Sequence, residues 1–571
     1  MSQSQLLPIR RGQKPASVTF GVCAACDPRI DAAARQRTQN IIETIAEIVA
    51  EKVTMPDGRP VNVVWTSVLI DGEKQADQVA NQFIDAGVDA IICTPDTWAF
   101  PQLSLISLLA HFPEDMPLNI TCGNSAPKPG VVFAHAVNGA LAQSGRMSHL
   151  NVGQWADTGM EPKPSESTVT ALVDWCYGAL TYAGLKGRRV AVFGHDSMGM
   201  ETAMSHIIPT RKTFGLEITR LDMKLLSDML KKKAYNRREF RELRDWAGKK
   251  LGNRLDLSQV NGDEKFNQSL GMYLIMRDLL EELNAVGGGF MNQLEWGSDT
   301  RGLPLPICDL AESLFNSTFD HNGPKQAIPF ATEADTQGLL TMLATNWLSG
   351  GNPPLFMDFR KVWEPKEITG LATKLGVKFS GDEVWAKRGI VDGDNSGSAS
   401  LNWAAMPGAG AEEIMKKISL PGADMGYFPG GGNSVTFISP GGINGIACRL
   451  AYSNLTGLFS MVWDEAVTVD LPEKLATAVA ASSNPTWPHT WVTPKNATMV
   501  EYKQYAPANH FHMIWNTPPA RLQYWMDLAN VLSVTPWAAK PLFDENVDRP
   551  LPLMYLINGG EAQTKMLRAK R

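Results

Sequence analysis

Hydrophobic and polar positions change rhythm along this chain, and the changes outline its parts. Residues 18–22 form an apolar run of strand length, and Ile41, Ile42, Ile45, Ile48 and Val49 follow at helical spacing with Glu43, Glu47 and Glu51 on the opposite face. This predicts a βα unit. Further strands are predicted at 61–65, 90–93 and 118–121, with helices around 74–86 and 101–110. Strands alternating with helices imply a parallel sheet covered on both faces. Pro162-Lys163-Pro164-Ser165 reads as a seam, so a first α/β domain is expected over residues 1–164.

A second alternating series opens with a helix over about 167–183 and continues through strands at 190–193, 216–220 and 289–291. Between the last two lies a charged insertion, 224–283, helical by pattern. Its Lys231-Lys232-Lys233 run and the arginines of 237–244 are interleaved with Glu239, Glu242 and Asp245, which reads as a solvated helix face rather than a nucleic-acid patch. A second α/β domain is expected over 165–350. Beyond it the texture turns to glycine, proline and tryptophan with short β-prone runs at 435–438, 446–451, 457–462 and 466–471. The expected architecture is α/β: two doubly wound α/β domains followed by a β-rich C-terminal domain, 351–571, with ligand-facing aromatics.

Where the second pattern gives way to the third, residues 330–363 carry two prominent carboxylates. Glu333 stands just before a helical pattern made by Leu339, Leu340, Met342, Leu343, Trp347 and Leu348. Asp358 stands at the end of a short apolar strand pattern, 354–357. A helix of about 15 residues is roughly 22 Å long. Gly350-Gly351-Asn352-Pro353 ends it, and the returning strand brings Asp358 back to the edge where Glu333 lies. Open α/β sheets place their sites at such an edge, outside the carboxyl ends of the strands.

With 571 residues the chain holds about three domains by size. The hydrophobic share of 44% and charged share of 20% describe a folded rather than a disordered protein. A net charge of −6 argues against general nucleic-acid binding and leaves a small molecule as the default ligand. Neither a signal-like start nor a run of about 18 apolar residues is present, so neither secretion nor membrane spanning is expected. Seven cysteines, an odd number, suggest reduced thiols and a cytoplasmic setting.

Several motifs read as bland. Cys23-Ala24-Ala25-Cys26 has no second pair at zinc-ribbon spacing and no thioredoxin-like aromatic flank. Gly194-His195-Asp196-Ser197-Met198-Gly199 lacks the dinucleotide pattern, and three consecutive residues cannot form a catalytic triad. Gly430-Gly431-Gly432 is not followed by Lys-Ser/Thr, so it is no P-loop. His510 differs. It lies in the strand-like run N-H-F-H-M-I-W, with His512 on the same side. Two carboxylates, an imidazole and ligand oxygens form a hard site that suits Mn²⁺ or Mg²⁺.

T-E-A-D at 332–335, D-F-R-K-V-W at 358–363, N-S-G-S-A at 395–399, Y-F-P-G-G-G at 427–432, P-T-W-P-H-T-W at 485–491 and Asn509-His510 together resemble the ordered motifs of L-fucose isomerase. The G-H-D-S-M-G-M and G-F-M-N-Q-L-E-W stretches are similar as well. The resemblance implies two α/β domains and a β-rich third, Mn²⁺ bound by Glu333, Asp358 and His510, and a homo-hexamer in which the first domain of one subunit helps cover another's site. It implies aldose–ketose isomerisation of a deoxy-sugar, pentose or modified hexose. In such chemistry Glu333 and Asp358 would share the proton transfers of an enediolate pathway. Gln293, Tyr427, Trp487, Trp491 and Asn509 would contact the sugar. The chain departs from the family pattern at Cys23 and Pro429, each standing where an arginine is usual, and in the segments after Pro95 and His510. The metal set is thus retained while the substrate end is rebuilt. Two other readings share these residues: a metal-dependent epimerase or lyase using the same enediolate, and a non-catalytic sugar-binding protein of the same fold.

Overall fold

The computed structural model describes residues 17–156, 159–195, 199–291, 296, 305–395, 399–454 and 456–534. Residues 14–186 and 520–529 cluster as one unit. Its strands β1 (Thr19–Cys23), β2 (Asn62–Trp65), β3 (Ala90–Cys93), β4 (Leu118–Gly123) and β5 (His149–Gly153) form a parallel sheet in the order β2-β1-β3-β4-β5. Strands β1 and β3 are buried throughout, as continuous apolar runs in a doubly covered sheet should be. The helix Ala32–Lys52 starts at Asp31, whose carboxylate accepts from the Ala34 amide, and it buries Ile41, Ile42, Ile45 and Val49.

The helix Glu166–Leu185, expected to open the second domain, belongs to this first unit instead. Its Trp175 is fully buried against Phe20 of β1, ring to ring at 6.4 Å. An apolar helix face belongs with the sheet that buries it, so the division falls near residue 186 rather than at 164. Cys23 and Cys26 are buried and unbridged, as are the other five cysteines. Burial pushes the Cys26 thiol up to about 11, against the reactive state a redox pair needs.

The other unit begins at residue 187. Its first layer is a parallel sheet of β6 (Arg189–Phe193), β7 (Glu217–Leu221) and β8 (Ala285–Phe290), then, after a small hairpin of β9 (Phe319–Asp320) and β10 (Gly323–Pro324), β11 (Phe330–Thr332). The order is β11-β8-β6-β7. The insertion is helical as expected, with helices Met223–Lys231, Arg237–Leu251 and Gly262–Leu283. Strand β8 begins four residues before the expected 289 because its glycines are strand, not loop. A Cβ on Gly287 would sit 2.8 Å from the Pro329 carbonyl oxygen, so only glycine lets β11 approach.

The remaining sheet of this unit is antiparallel. Strands β12 (Leu355–Trp363), β13 (Ile390–Asp394), β14 (Asn444–Ser453), β15 (Leu458–Thr468), β16 (His489–Pro494) and β17 (His510–Trp515) run in the order β14-β17-β12-β13-β16-β15, and β14 pairs with β15 to close a barrel. β18 (Leu532–Val534) adds beside β15 in parallel. The runs expected at 457–462 and 466–471 are largely one strand, β15. The polar residues that seemed to divide it have a structural use: Asp464, buried, accepts from the Asn496 and Ala497 amides. The run at 435–438 pairs only through single bridges, Ser419 with Thr436 and Ile438 with His489.

Helix Thr336–Leu348 is buried along its whole length, against β8 and β11 on one side and β14 and β17 on the other. Its polar residues serve its neighbours. Thr341 Oγ1 accepts from the Leu450 amide at 3.0 Å and Gln337 Oε1 from the Tyr452 amide at 3.1 Å, where β14 has run past its pairing with β17. Buried backbone donors must find acceptors, and here helix side chains supply them.

Candidate active site

Glu333 follows β11 directly, and both it and Ala334 are left-handed, with φ of 58° and 52°. Each such residue with a Cβ costs about 1–2 kcal/mol. The turn is held by the Ala334 amide donating to the Phe290 carbonyl at 3.0 Å and by Asp335, the N-cap of the following helix. Strain of this kind concentrates at functional positions, where it aims a side chain.

Asp358 is not at a strand end as expected. It is the fourth residue of β12, which continues through F-R-K-V-W to Trp363. The register places a row of polar groups across four barrel strands: His510 opposite Asp358, Asp358 opposite Asp394, and Asp394 opposite His489. Directly opposed residues in antiparallel strands share a face. On the reverse face Phe359 packs against Phe511 and Tyr502.

Glu333 and Asp358, carried by two different sheets, meet at one imidazole. His510 Nε2 lies 3.3 Å from Glu333 Oε2 and 3.2 Å from Asp358 Oδ1. Its Nδ1 donates to Asp335 Oδ2 at 2.7 Å. Asp335, fully buried, also receives Arg449 Nη1 at 2.5 Å, Arg449 Nη2 at 3.0 Å and the Gly338 amide at 2.7 Å. Burial opposes its charge, but the Arg449 guanidinium and the His510 hydrogen bond hold its carboxyl well below the usual range. Burial likewise opposes a charged His510. The charge of Asp358 and the hydrogen bonds that Asp335, Asp358 and Glu333 accept from the ring prevail and hold its pKa well above its ordinary value. His512, packed under Arg449, is pushed the other way by burial and by that guanidinium.

The donor chemistry fits a divalent cation. Two carboxylates and an imidazole nitrogen that converge at one point would hold a hard divalent cation once that nitrogen gives up its proton. A histidine whose far nitrogen donates to a carboxylate is the usual support of a metal ligand. Among the described residues no trio of His, Cys, Asp or Glu already stands as an arranged cage. The fit therefore rests on the type and convergence of the donors.

Asp394 extends the site. It is 1% exposed, neither carboxylate oxygen has a hydrogen-bond partner among the described residues, and Arg360 Nε lies 3.9 Å away. Burial, then the charges of Asp358 and Asp392, push its carboxyl up to about 7 against the pull of His489 and Arg360. His489 touches two acceptors, Asp392 Oδ1 at 3.1 Å and the Asn484 carbonyl at 3.1 Å, so both ring nitrogens must carry protons.

Of the expected sugar contacts, Tyr427 and Trp487 come together, ring to ring at 5.6 Å, Tyr427 exposed and Trp487 buried beside Phe428. Trp491 lies apart, buried with Trp363 and Ile390, its Nε1 donating to Asp392 at 3.0 Å. Asn509 accepts the Phe359 amide through its carbonyl at 2.8 Å and points its amide nitrogen at Met200 Sδ, 3.4 Å away. Gln293 lies outside the described residues. Sequence reasoning missed Asp335, Arg449, Asp394 and His489. Their signal was a charge inside an apolar strand run, as in I-V-D-G-D and I-A-C-R-L-A, or a capping position beside Glu333.

A parallel sheet and a barrel that meet at a carboxylate–histidine cluster within one unit describe an enzyme, and comparison with known proteins says of which kind. Residues 17–187 match the first N-terminal domain of L-fucose isomerase and residues 190–350 the second. Among similar proteins are the L-fucose isomerases of Vibrio vulnificus, 25% identical over 81% of this chain and 81% of that one, and Phocaeicola vulgatus, 26% identical over 80% and 82%. That of Salmonella typhimurium is 26% identical over 81% of each. The chain belongs to the L-fucose isomerase family, and by class it is an aldose–ketose isomerase, an intramolecular oxidoreductase.

Proposed function

We propose that the protein interconverts the aldose and ketose forms of a pentose, deoxy-sugar or modified hexose, with Glu333, Asp358 and His510 holding a divalent cation, Mn²⁺ or Mg²⁺. The observation that carries this reading is the meeting of both carboxylates at His510 Nε2 while Asp335 anchors Nδ1. Bound there, the cation would supply Lewis acidity toward the oxygens on C1 and C2. The chain's own groups carry the protons. One of Glu333 and Asp358 takes the proton from C2, leaving an enediolate, and a proton returns to C1, while the hydroxyl proton passes from O2 to O1. Nothing is gained or lost overall. Asp335 keeps the imidazole oriented, and Arg449 keeps Asp335 ionised. The family resemblance also favours a hexamer, which light scattering on the purified protein tests.

The deciding experiment is a screen of aldoses and ketoses with added Mn²⁺ or Mg²⁺ in D₂O, read by NMR. Interconversion with deuterium entering C1 or C2 is expected. Glu333→Gln and Asp358→Asn are each expected to lose at least 10³-fold in kcat while remaining folded. Substantial turnover in either variant would contradict these roles.

A further inference from the structure

The helical insertion is tied to the barrel loop that carries Tyr427. Leu255 and Leu420 bridge in parallel, the Leu420 amide donating to the Arg254 carbonyl at 2.8 Å and the Asp256 amide to the Leu420 carbonyl at 3.0 Å. Asn433 Nδ2 donates to the Asp256 carbonyl at 2.6 Å. Between these ties residues 423–432 form a loop whose neck is closed by the Ala423 amide donating to the Gly432 carbonyl at 3.0 Å. Gln259 completes that neck. Its Oε1 accepts from the Gly432 amide at 3.1 Å and its Nε2 donates to the Ala423 carbonyl at 3.0 Å, so one side-chain amide acts as a further rung across both sides of the neck. The fit is close: a Cβ on Gly431 would stand 2.7 Å from Gln259 Oε1, and one on Gly422 would collide with its Nε2. The Gln259 backbone is itself held in a turn, with the Gly262 amide donating to its carbonyl at 2.8 Å and Asn261 left-handed at φ 58°. A loop with Gly426 and Gly430-Gly431-Gly432 has much backbone freedom to lose, and such ties are what order it.

What the loop presents lies beside the carboxylates. Phe428 is buried with Ala423, Ile307 and Trp487, while Tyr427, 52% exposed, sets its ring 5.6 Å from that of Trp487. The same indole carries the Arg360 guanidinium, 5.4 Å from the ring centre. Strand β12 pairs with β13 through Asp358–Asp394 and Phe359–Gly393 and resumes at Lys361–Asp392, so Arg360 is the extra residue of a β-bulge, two positions past Asp358. Bulges re-aim side chains beside sites. A continuous path of contacts thus runs from Gln259 through the loop to the wall next to Asp358.

We propose that Gln259 is a positioning residue: by pinning the neck of loop 423–432 it sets where Tyr427 stands against Trp487, and through that wall it sets the affinity of the site for its sugar without touching the reacting atoms. The helical insertion then has a role in the reaction, as the support of a substrate loop carried by another part of the chain. Without Gln259 the buried Gly432 amide and Ala423 carbonyl each lose a partner, and the neck is free to shift.

This rests on the isomerase reading, so the test separates the two. Wild type, Gln259→Ala and Gln259→Glu are compared by hydrogen exchange over residues 421–433 and by kinetics on aldopentoses and 6-deoxyhexoses with Mn²⁺. Binding of the corresponding alditols, which have no carbonyl to isomerise, is measured by calorimetry. Gln259→Ala is expected to speed exchange in that segment about tenfold or more. It should raise KM and the alditol dissociation constant about tenfold and leave kcat within about threefold. Gln259→Glu keeps an acceptor for the Gly432 amide and should recover part of the loss. In a Tyr427→Ala background Gln259→Ala should add little to KM, because both changes act on one contact. Unchanged exchange, faster exchange with KM and alditol affinity unmoved, or fully additive effects in the double variant overturn the inference. Gln259-dependent alditol binding by a protein that turns over no sugar would support the inference and defeat the isomerase reading. Gln259→Glu keeps the test usable should Gln259→Ala fail to fold.

Discussion

Asp335 is the residue on which the site's electrostatics turn. With its charge gone, His510 Nδ1 loses its anchor and Arg449 is left buried without a carboxylate. Orphaning a buried charge costs about 3–5 kcal/mol, and losing a carboxylate support costs a metal site about 10–100-fold in affinity. Asp335→Asn is therefore expected to show both losses, read by urea denaturation and by Mn²⁺ calorimetry. The folded carboxyl is depressed, so its stabilisation is present above the unfolded value near 4 and is lost as pH falls below it. The variant should lack that part of the acid limb. Asp394 has the opposite sign. Its folded value of about 7 lies above the unfolded one, about 3.9, so wild-type protein freed of metal should lose stability as pH rises between those two values. Asp394→Asn mimics the protonated form and should flatten that slope in denaturation midpoints taken across it.

At the scale of elements, the entry of helix Thr336–Leu348 is packed too tightly for any residue but glycine at 338. A Cβ there would lie 2.7 Å from Arg449 Nη1 and 2.7 Å from Asp335 Oδ2. Gly338→Ala is expected to destabilise by about 1–3 kcal/mol, as overpacking does, and to weaken cation binding by disturbing that pair. Gly370 is the control. It lies inside helix Pro365–Lys374 with nothing near its would-be Cβ, so Gly370→Ala should stabilise by about 0.4–1 kcal/mol. Thermal melts of both variants check the contrast. The β12 bulge makes the same point about elements: one unpaired residue decides what stands beside Asp358.

For the whole molecule, a cation held by Glu333, Asp358 and His510 would tie the end of β11 to β12 and β17, joining the parallel sheet to the barrel within one unit. Mn²⁺ at about 100 times its dissociation constant should add about 2.7 kcal/mol of stability. A chelator should lower the melting temperature and abolish activity, and added Mn²⁺ should restore both. Glu333→Gln should show little of the shift. A melting curve indifferent to chelator and Mn²⁺ would argue against the metal set.

The sequence by itself determined the alternation of strand and helix, the change to β structure beyond residue 350, and the residue types of the site. Each is written locally, in hydrophobic period, glycine and proline punctuation, and ordered motifs. Glu333, Asp358 and His510 could be named from the chain because short motifs flank them. Only the tertiary structure decided that Asp358 sits mid-strand, that two left-handed residues aim Glu333, and that Asp335 links Arg449 to His510. The placing of helix Glu166–Leu185 with the first sheet and the row from His510 to His489 belong with these. They depend on register between strands distant in the chain and on which face finds a partner to bury it. Local patterns carry no record of either.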